Sequence, residues 1–377
     1  MIGLFTPHNA VNYGTRLQAY AVQSIFSQYD DVEIIEYKPS IMEKGRRKLM
    51  RMILDLERYN DVKIEAEQMN DNPENIQTRM EAINRFNTRY KLSPVIRTKT
   101  ALRKRALSYS AVVCGSDQVW NPRLIANHVN LLEFASDDIK KISIAASFGV
   151  PTLPKNLKKY YRNNLLTFSS ISVREENACK IVEDLGVSSP FWSLDPTLIV
   201  NRDIWNSLAD EGIGVVPDRP FVFCYFLGTH ILGRNIAKAV SKEHENSIIV
   251  SLPHFKQYVK ADENFADLGL YDVGIPEFLA LIRGARAVIT DSFHGTAFSL
   301  IFGKDVYCTP RHISTDSGNT NNRITSLLSL LRIDDRMILS NEDISTAIHS
   351  NIDYGRSSEI LKKKKKECLC YIENALH

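Results

Sequence analysis

The sequence predicts an α/β protein built from two doubly wound, Rossmann-like domains that face a cleft. The first reason is length, because 377 residues exceed what a single hydrophobic core usually organises. The second is that short apolar runs typical of buried parallel strands alternate with helical patterns along most of the chain. The third is a patch of Gly, Pro and Asp at Gly212–Pro220, near the middle, which is suited to a hinge.

Composition narrows the class of protein. The chain holds 47 Lys and Arg against 44 Asp and Glu, a balance too even to indicate nucleic acid as the partner. No run reaches the ~18 apolar residues that cross a bilayer, and Met1–Pro7 is too short and uncharged for a signal peptide. The six cysteines form no metal-spaced pair of pairs. We therefore expect a cytoplasmic protein without disulfides, bound metal or cofactor.

The chain opens with a predicted strand at Ile2–Thr6 and a predicted helix at Thr15–Phe26. Open α/β sheets bind ligands at the carboxyl ends of their strands, so we expect ligand contacts in the loop between these two elements. The candidates there are Asn12, Tyr13, Gly14 and Arg16. The alternative is that Gly14 only makes a turn and Asn12 only caps the helix.

Residues 41–110 interrupt the rhythm that the next strand, Val32–Tyr37, had continued. They carry 16 Lys and Arg against 9 Asp and Glu, and their apolar spacing predicts helices around Met50–Leu56 and Ile76–Phe86. We interpret them as a helical insertion on the first domain. Its basic side could face an acidic acceptor or the anionic inner leaflet of a membrane, unless it is simply a solvated face.

Two further strands of the first domain end in polar residues. The run Ala111–Cys114 leads into a loop where Asp117 could act as a base or grip hydroxyl groups, and where Trp120 offers a flat face on which sugar rings stack. The strand Ser170–Val173 is followed directly by Arg174. Arg174 is therefore predicted to point into the cleft and to grip a phosphate or carboxylate with both prongs of its guanidinium group.

The second domain contains the segment with the most candidate catalytic and ligand-binding residues. A strand at Ala287–Thr290 runs into Asp291–His294 and then into an apolar helix, so a helix amino end with its unpaired N–H groups meets the strand end. We expect a phosphate site there with the His294 imidazole as proton donor. Its other predicted contacts are Ser292, Gly295 and Thr296, with Arg311 and Arg323 following the next strand. The alternative is that Asp291 and Ser292 only cap a core helix.

These patterns predict three units. Residues 1–212 form an N-terminal Rossmann-like domain on the acceptor side, carrying the insertion at 41–110. Residues 213–350 form a C-terminal Rossmann-like domain on the donor and phosphate side. Residues 351–377 form a C-terminal helix that could pack back on the N-terminal domain.

Five segments together resemble the polysaccharide pyruvyl transferase family. They are Asn12–Gln18, Gly115–Trp120, Ser172–Glu175, Asp195–Leu198 and Asp291–Thr296, in this order. The resemblance implies a fold like that of the B-type glycosyltransferases (GT-B), with the active site between the domains. It also implies transfer of a pyruvyl group from phosphoenolpyruvate, as co-substrate, onto two hydroxyls of a sugar. The product would be a pyruvate ketal on a cell-surface polysaccharide or on its lipid-linked precursor.

The resemblance also suggests roles for the candidate residues. His294 is the expected acid or phosphate partner, Arg174 the anion clamp and Asp117 the candidate base. The family often has Arg where this chain has Ser292, so a second positive contact would come from Arg311 or Arg323.

We further expect the protein to contact the inner face of the plasma membrane. Two alternative functions remain open. One is a glycosyltransferase of the same fold that uses a nucleotide sugar, for which Glu277 is the only candidate to hold the ribose. The other is a catalytically silent glycan-binding homologue.

Overall fold

The structure is a computed structural model, and it describes residues 1–41, 73–122, 129–244, 247–254, 259–311, 322–350 and 352–377. The strands are β1 Ile2–Phe5, β2 Val32–Ile34, β3 Ala111–Gly115, β4 Lys140–Ile144, β5 Ser172–Val173, β6 Phe191–Trp192, β7 Phe221–Tyr225, β8 Ile248–Ser251, β9 Leu268–Gly269, β10 Ala287–Thr290 and β11 Asp305–Cys308. The helices are α1 Tyr13–Phe26, α2 Pro73–Asn84, α3 Lys99–Ala106, α4 Lys158–Leu165, α5 Glu176–Asp184, α6 Pro196–Ile199, α7 Arg202–Glu211, α8 Leu232–Glu243, α9 Ile275–Gly284, α10 Phe293–Phe302, α11 Asn322–Leu331, α12 Ile344–His349 and α13 Tyr354–Leu376.

The N-terminal sheet is parallel, with the strand order β2-β1-β3-β4. Two isolated bridges, Ile142 with Ser170 and Ala146 with Val173, connect its β4 side to the short parallel pair β5 and β6. All five residues of β3 are buried, as expected of a strand that helices cover on both faces.

The C-terminal sheet is also parallel, with the order β11-β10-β7-β8-β9. The chain runs outward from β7 through β8 to β9, and then crosses to β10 on the other side of β7. This reversal defines a doubly wound sheet, whose ligand crevice lies at the carboxyl ends of β7 and β10. The chain therefore has the predicted α/β fold of two Rossmann-like sheets, like that of the GT-B glycosyltransferases.

The carboxyl edges of the two sheets meet through the start of α1. The Tyr13 hydroxyl donates a hydrogen bond to the Val273 carbonyl at 2.7 Å, and its ring stacks on Phe278 at 4.4 Å between centroids. Arg79 of α2 donates to the carbonyls of Leu270 and Tyr271. The start of helix α1 is thus packed between the two sheets.

The last helix, α13, contacts the N-terminal sheet after the chain has left the C-terminal one. The Tyr371 hydroxyl donates to the Ser143 carbonyl of β4 at 2.9 Å, and the Lys140 ammonium group donates to the Leu376 carbonyl at 2.8 Å. The Leu194 N–H donates to the Cys368 sulfur at 3.3 Å.

Part of the predicted helical insertion is extended in the structure. Residues 91–97 run parallel to β2, with bridges from Leu92 to Ile34 and from Ile96 to Tyr37. The N–H groups of Ser93 and Ile96 donate to the carbonyls of Ile34 and Glu36, both at 2.9 Å. The predicted helix around Met50 lies outside the described residues. In the ranges that the structure describes, no helix is long and apolar enough to cross a membrane.

Candidate functional site

His294 lies in the first turn of α10, directly after β10. Ser292 is the N-cap of this helix, and its hydroxyl accepts a hydrogen bond from the Gly295 N–H at 3.3 Å. The His294 side chain is 7% exposed, and its Nε2 atom is buried without a hydrogen-bond partner. An unsatisfied ring nitrogen in such a place indicates a contact that a ligand would complete.

Gly295 and Thr296 do not offer the free donors that were predicted. The Gly295 N–H is taken by Ser292, and the Thr296 N–H donates to the Ser292 carbonyl at 2.9 Å. The Thr296 hydroxyl is buried and donates to the same carbonyl at 3.0 Å. The N–H groups of Phe293 and His294 are the ones that an α-helix leaves without an internal acceptor at this end.

Arg174 reaches the same place from the N-terminal sheet, as predicted from its position after β5. One of its nitrogens donates to Asp195 at 2.9 Å, and its other ion pairs are longer, 3.7 Å to Glu175 and 3.8 Å to Asp117. Its guanidinium carbon lies 4.8 Å from the centre of the Phe293 ring. Burial lowers the pKa of Arg174, but the three carboxylates outweigh burial and raise it. The two nitrogens of these longer pairs, Nε and Nη2, are buried and have no hydrogen-bond partner.

Asp195 is a site residue that sequence reasoning missed. Its Oδ1 accepts from the Thr197 N–H and hydroxyl at 3.0 and 2.8 Å, and its Oδ2 accepts from Arg174 and from Ser116 at 3.3 Å. The same Oδ2 lies 3.7 Å from His294 Nε2. Burial raises the pKa of Asp195, but His294 and Arg174 more than offset this and hold it well below the usual value. The Asp-Pro-Thr sequence is an N-cap signal, which shows the local structure but not what else the carboxylate touches.

Asp117 faces this cluster from the loop after β3. Its backbone is left-handed, with φ at 63°, and its Oδ2 accepts from the Thr15 hydroxyl at 2.8 Å. Burial raises the pKa of Asp117, but the positive charges of Arg174, His294 and Arg323 lower it overall. The group is therefore ionised at neutral pH and can accept a proton or a hydroxyl hydrogen bond.

Arg323, at the start of α11, completes the group of cations. Burial and then repulsion from Arg174 lower its pKa to about 10, against the attraction of Asp117 and Glu175. Its Nε atom is buried without a partner. Two buried guanidinium groups that repel each other form a place where an anion is stabilised.

Arg311 lies on the other side of the crevice, after β11. Its backbone approaches Gly228. Burial raises the pKa of Asp291 above its ordinary value, and the charge of Arg311 opposes this only in part. Asp291 itself accepts from the N–H groups of Leu227 and Gly228, both at 2.7 Å. Arg311 therefore adds positive potential beside the β10 loop, while Asp291 holds the β7 loop in place.

A small pocket lies beside this cluster, lined by Arg174 and Arg323 but not by His294. Arg174, Asp195, Phe293, Arg323 and Leu327 are among its lining residues. Its free volume is about 20 Å³, room for about one water molecule. A ligand larger than a water molecule would therefore not fit in this pocket unless its lining side chains moved.

The predicted acceptor residues are less accessible than the sequence suggested. Trp120 is fully buried, packs against Phe148 and donates to the Asn130 carbonyl, so the prediction that it stacks on a sugar is wrong. Arg16 is also fully buried, where its guanidinium group bonds the Ala10 carbonyl and the side chains of Asn84 and Asn87. Tyr13 is used in packing against the C-terminal sheet.

Asn12 and Gly14 stay close to the site in supporting positions. The Asn12 side chain caps α1 by accepting from the Thr15 N–H at 3.0 Å. Gly14 lies against the His294 ring so closely that a Cβ atom there would overlap it. The first turns of α1 and α10 thus meet at His294.

Glu277 does not favour the nucleotide-sugar alternative. Its carboxylate accepts from the Gly274 N–H at 3.0 Å and so caps the start of α9. The carboxylate that was expected to bind a ribose therefore already holds the helix start.

The candidate site lies between two Rossmann-like sheets. The chain belongs to the polysaccharide pyruvyl transferase family, whose sequence pattern it matches over residues 12–312.

Among solved structures, the chain is similar to the UDP-GlcNAc 2-epimerase of Methanocaldococcus jannaschii at 14% identity and a TM-score of 0.49, covering 93% of this chain and 92% of that one. It is also similar to UDP-GlcNAc 2-epimerase from Neisseria meningitidis at 11% identity and a TM-score of 0.46, covering 97% and 99%. A glycosyltransferase from Rickettsia africae follows at 13% identity and a TM-score of 0.42, covering 99% and 98%. No curated protein matches the sequence.

Proposed function

We propose that this transferase moves a pyruvyl group from phosphoenolpyruvate onto two hydroxyls of a sugar in a cell-surface polysaccharide or its lipid-linked precursor. The observation that carries the proposal is the convergence of Arg174, Arg323 and His294 around Asp117, with nitrogens of all three cations buried without a hydrogen-bond partner. Phosphoenolpyruvate is a small dianion or trianion with a phosphate and a carboxylate, so it needs several cationic partners in a compact site.

The donor would be held between the sheets. Arg174 and Arg323 can bind its two acidic groups, and Arg311 adds a positive charge beside the β10 loop where Ser292 replaces the frequent Arg of the family. Asp195 fixes one face of Arg174, which leaves its Nε and Nη2 atoms for the ligand. This division keeps the guanidinium group oriented before the donor arrives.

The reaction needs two proton transfers and the loss of phosphate. A proton adds to the donor's C3 while the first sugar hydroxyl bonds to C2 and loses its own proton to a base. The second hydroxyl then bonds to C2 as the C2–O bond to phosphate breaks, and its proton leaves with the phosphate. In this scheme His294 protonates C3 or the departing phosphate, and Asp117 accepts a proton from the acceptor.

Calorimetric titration tests the choice of donor. Wild-type protein is expected to bind phosphoenolpyruvate and to ignore UDP-sugars, and Arg174→Lys is expected to weaken that binding at least about tenfold because an ammonium group cannot reproduce the forked contact. Lys180→Arg, an exchange on α5, is the matched control. Binding of a UDP-sugar without phosphoenolpyruvate would replace this proposal with the glycosyltransferase one.

Product formation tests the reaction itself. Purified protein, phosphoenolpyruvate and a panel of lipid-linked or nitrophenyl glycosides are expected to give inorganic phosphate together with a product heavier by one pyruvate ketal. Donor binding without any such product, over the whole panel, would support a catalytically silent homologue.

A further inference from the structure

The outer edge of the N-terminal sheet combines exposed basic and apolar side chains. Residues 82–116 contain eight Lys and Arg and not one Asp or Glu. These eight lie within residues 85–107, which we call the basic edge and which include the extended segment 91–97 and helix α3. Such an acid-free stretch is unusual in a chain whose total charge is only +3.

Most of the basic groups on this edge are unpaired. Three of the eight are engaged in ion pairs, Arg85 with Asp272, Arg89 with Glu211 and Arg105 with Glu33. The other five form no ion pair with any acid in the described parts of the chain: Lys91, Arg97, Lys99, Arg103 and Lys104. Their charge is therefore available to an external anionic surface.

Large apolar side chains are exposed among these charges. Leu92 is 40% exposed, Val95 48% and Leu107 70%. A purely solvated surface gains nothing from exposed apolar side chains. A surface that enters the headgroup region of a bilayer combines Lys and Arg with exposed aliphatic groups.

The basic edge also extends to the side of the sheet where the candidate site lies. Segment 91–97 runs parallel to β2, so its carboxyl end at Arg97 lies at the same edge of the sheet as the ends of the neighbouring strands. Helix α3 then runs back toward Leu107. A flat partner lying along this edge would come close to the mouth of the cleft.

We propose that the basic edge docks the protein on a membrane surface rich in anionic phospholipids. Coulomb attraction to the headgroups draws in the five unpaired cations, and Leu92, Val95 and Leu107 enter the interface. Resting on the proposed function, this docking would hold the cleft beside a lipid-linked acceptor. The docking itself is argued without reference to that reaction.

Vesicle sedimentation tests the proposal with the full chain. The protein is expected to sediment with phosphatidylcholine vesicles in which about a third of the lipid is phosphatidylglycerol, and to stay in solution with phosphatidylcholine alone. Binding is expected to weaken as salt rises from about 0.1 M to about 0.5 M. Equal binding to both vesicle types, or binding to neither, would overturn the proposal.

Variants locate the surface. Combined reversal of the charges at Lys99, Arg103 and Lys104 to Glu is expected to weaken vesicle binding by about a hundredfold or more, since each basic residue near a charged membrane contributes roughly fivefold. Leu107→Ser is expected to weaken it by about tenfold. The matched control reverses Lys362, Lys363 and Lys366 on α13, which changes the net charge equally and is expected to leave vesicle binding within about threefold of wild type.

A control that loses binding as much as the triple variant would show that only net charge matters, and it would contradict docking at this edge. Binding to soluble heparin through the same residues, without vesicle binding, would point to a polyanion in solution instead. The assay contains neither donor nor acceptor. Its failure would therefore leave the proposed reaction standing, and failure of the donor titration would leave the docking surface standing.

Discussion

At the residue scale, one carboxylate oxygen is shared between the two sheets. Asp195 Oδ2 accepts from Arg174 at 2.9 Å and lies 3.7 Å from His294 Nε2. Arg174 and Asp195 belong to the N-terminal sheet's side, and His294 to the C-terminal one. Asp195 follows β6, so it belongs neither to the segment that carries Arg174 nor to the one that carries His294. Its carboxylate lies close to both side chains and therefore sets the position of the clamp relative to the proposed acid.

Replacing His294 by Gln separates chemistry from packing. Glutamine keeps much of the shape and hydrogen-bonding capacity of the imidazole but cannot act as an acid at neutral pH. We expect kcat to fall by ~10²–10⁴-fold, the usual contribution of an acid–base residue, with little change in Tm. The control is His349→Gln, on an exposed helix end. Turnover within about threefold of wild type would leave His294 a structural residue.

Asp195→Asn tests the shared carboxylate through the pH dependence of stability. Because folding lowers the pKa of Asp195, its stabilising contribution is present above the ordinary Asp pKa of ~3.9 and is lost as pH falls below that value. The Asn variant is expected to be less stable than wild type by about 3 kcal/mol at neutral pH, since Arg174 loses a buried partner. The gap is expected to narrow in acid.

Urea unfolding followed at neutral pH and near pH 3 measures both effects. Asp203→Asn, at an exposed position on α7, is the control and is expected to match wild type. A gap between the Asn variant and wild type that stays constant with pH would show that Asp195 contributes packing and not charge.

At the scale of elements, the site is made by helix starts that follow strand ends. Helix α1 follows β1 and helix α10 follows β10, and their first turns touch where Gly14 meets the His294 ring. The closeness of the two backbones depends on the absence of a side chain at Gly14. The glycine therefore sets the distance between the two sheets at the candidate site.

Gly14→Ala is expected to abolish most activity. The added Cβ would overlap the His294 ring, so either the imidazole or the first turn of α1 must move, and a displacement of about 1 Å can cost about a hundredfold in rate. Gly214→Ala is the matched control, because a Cβ atom there meets nothing within 4 Å. Steady-state kinetics on both variants decides the matter, and normal kcat for Gly14→Ala would contradict the contact.

The elements also show how far sequence reasoning reaches. Alternation of apolar strands and helices predicted both sheets, and the position of Arg174 and His294 after strands predicted their convergence. The two-residue strands β6 and β9 carry no periodic signal, so they were missed. Trp120 and Arg16 were misassigned because position after a strand does not reveal depth, and both side chains turn inward to satisfied contacts.

At the scale of the whole molecule, the sheets are held together beside the site by contacts of different strength. The stacked pair of Tyr13 and Phe278 is buried, whereas the ion pair of Arg85 with Asp272 is exposed. Exposed pairs each contribute little. Breaking such a contact at the rim of the cleft therefore costs little free energy. A closed cleft would exclude water from the reaction.

Limited proteolysis tests opening of the cleft. We expect cutting near Gly212–Pro220, where residues 218–220 are exposed, and we expect phosphoenolpyruvate to slow it by favouring closure. Quantifying the intact chain over time, with and without donor, measures the effect. Cutting confined to residues 41–110, at a rate that the donor leaves unchanged, would argue against a hinge between 212 and 220.

The route of helix α13 has a consequence for how the protein is made. Tyr371 and Lys140 connect helix α13 to strand β4 of the first sheet, and residue 371 leaves the ribosome long after residue 140. The first sheet therefore gains these contacts only after the second sheet has been synthesised. A premature stop before α13, or a bulky tag fused after it, would be felt first in the N-terminal half, where Arg174 and Asp195 lie.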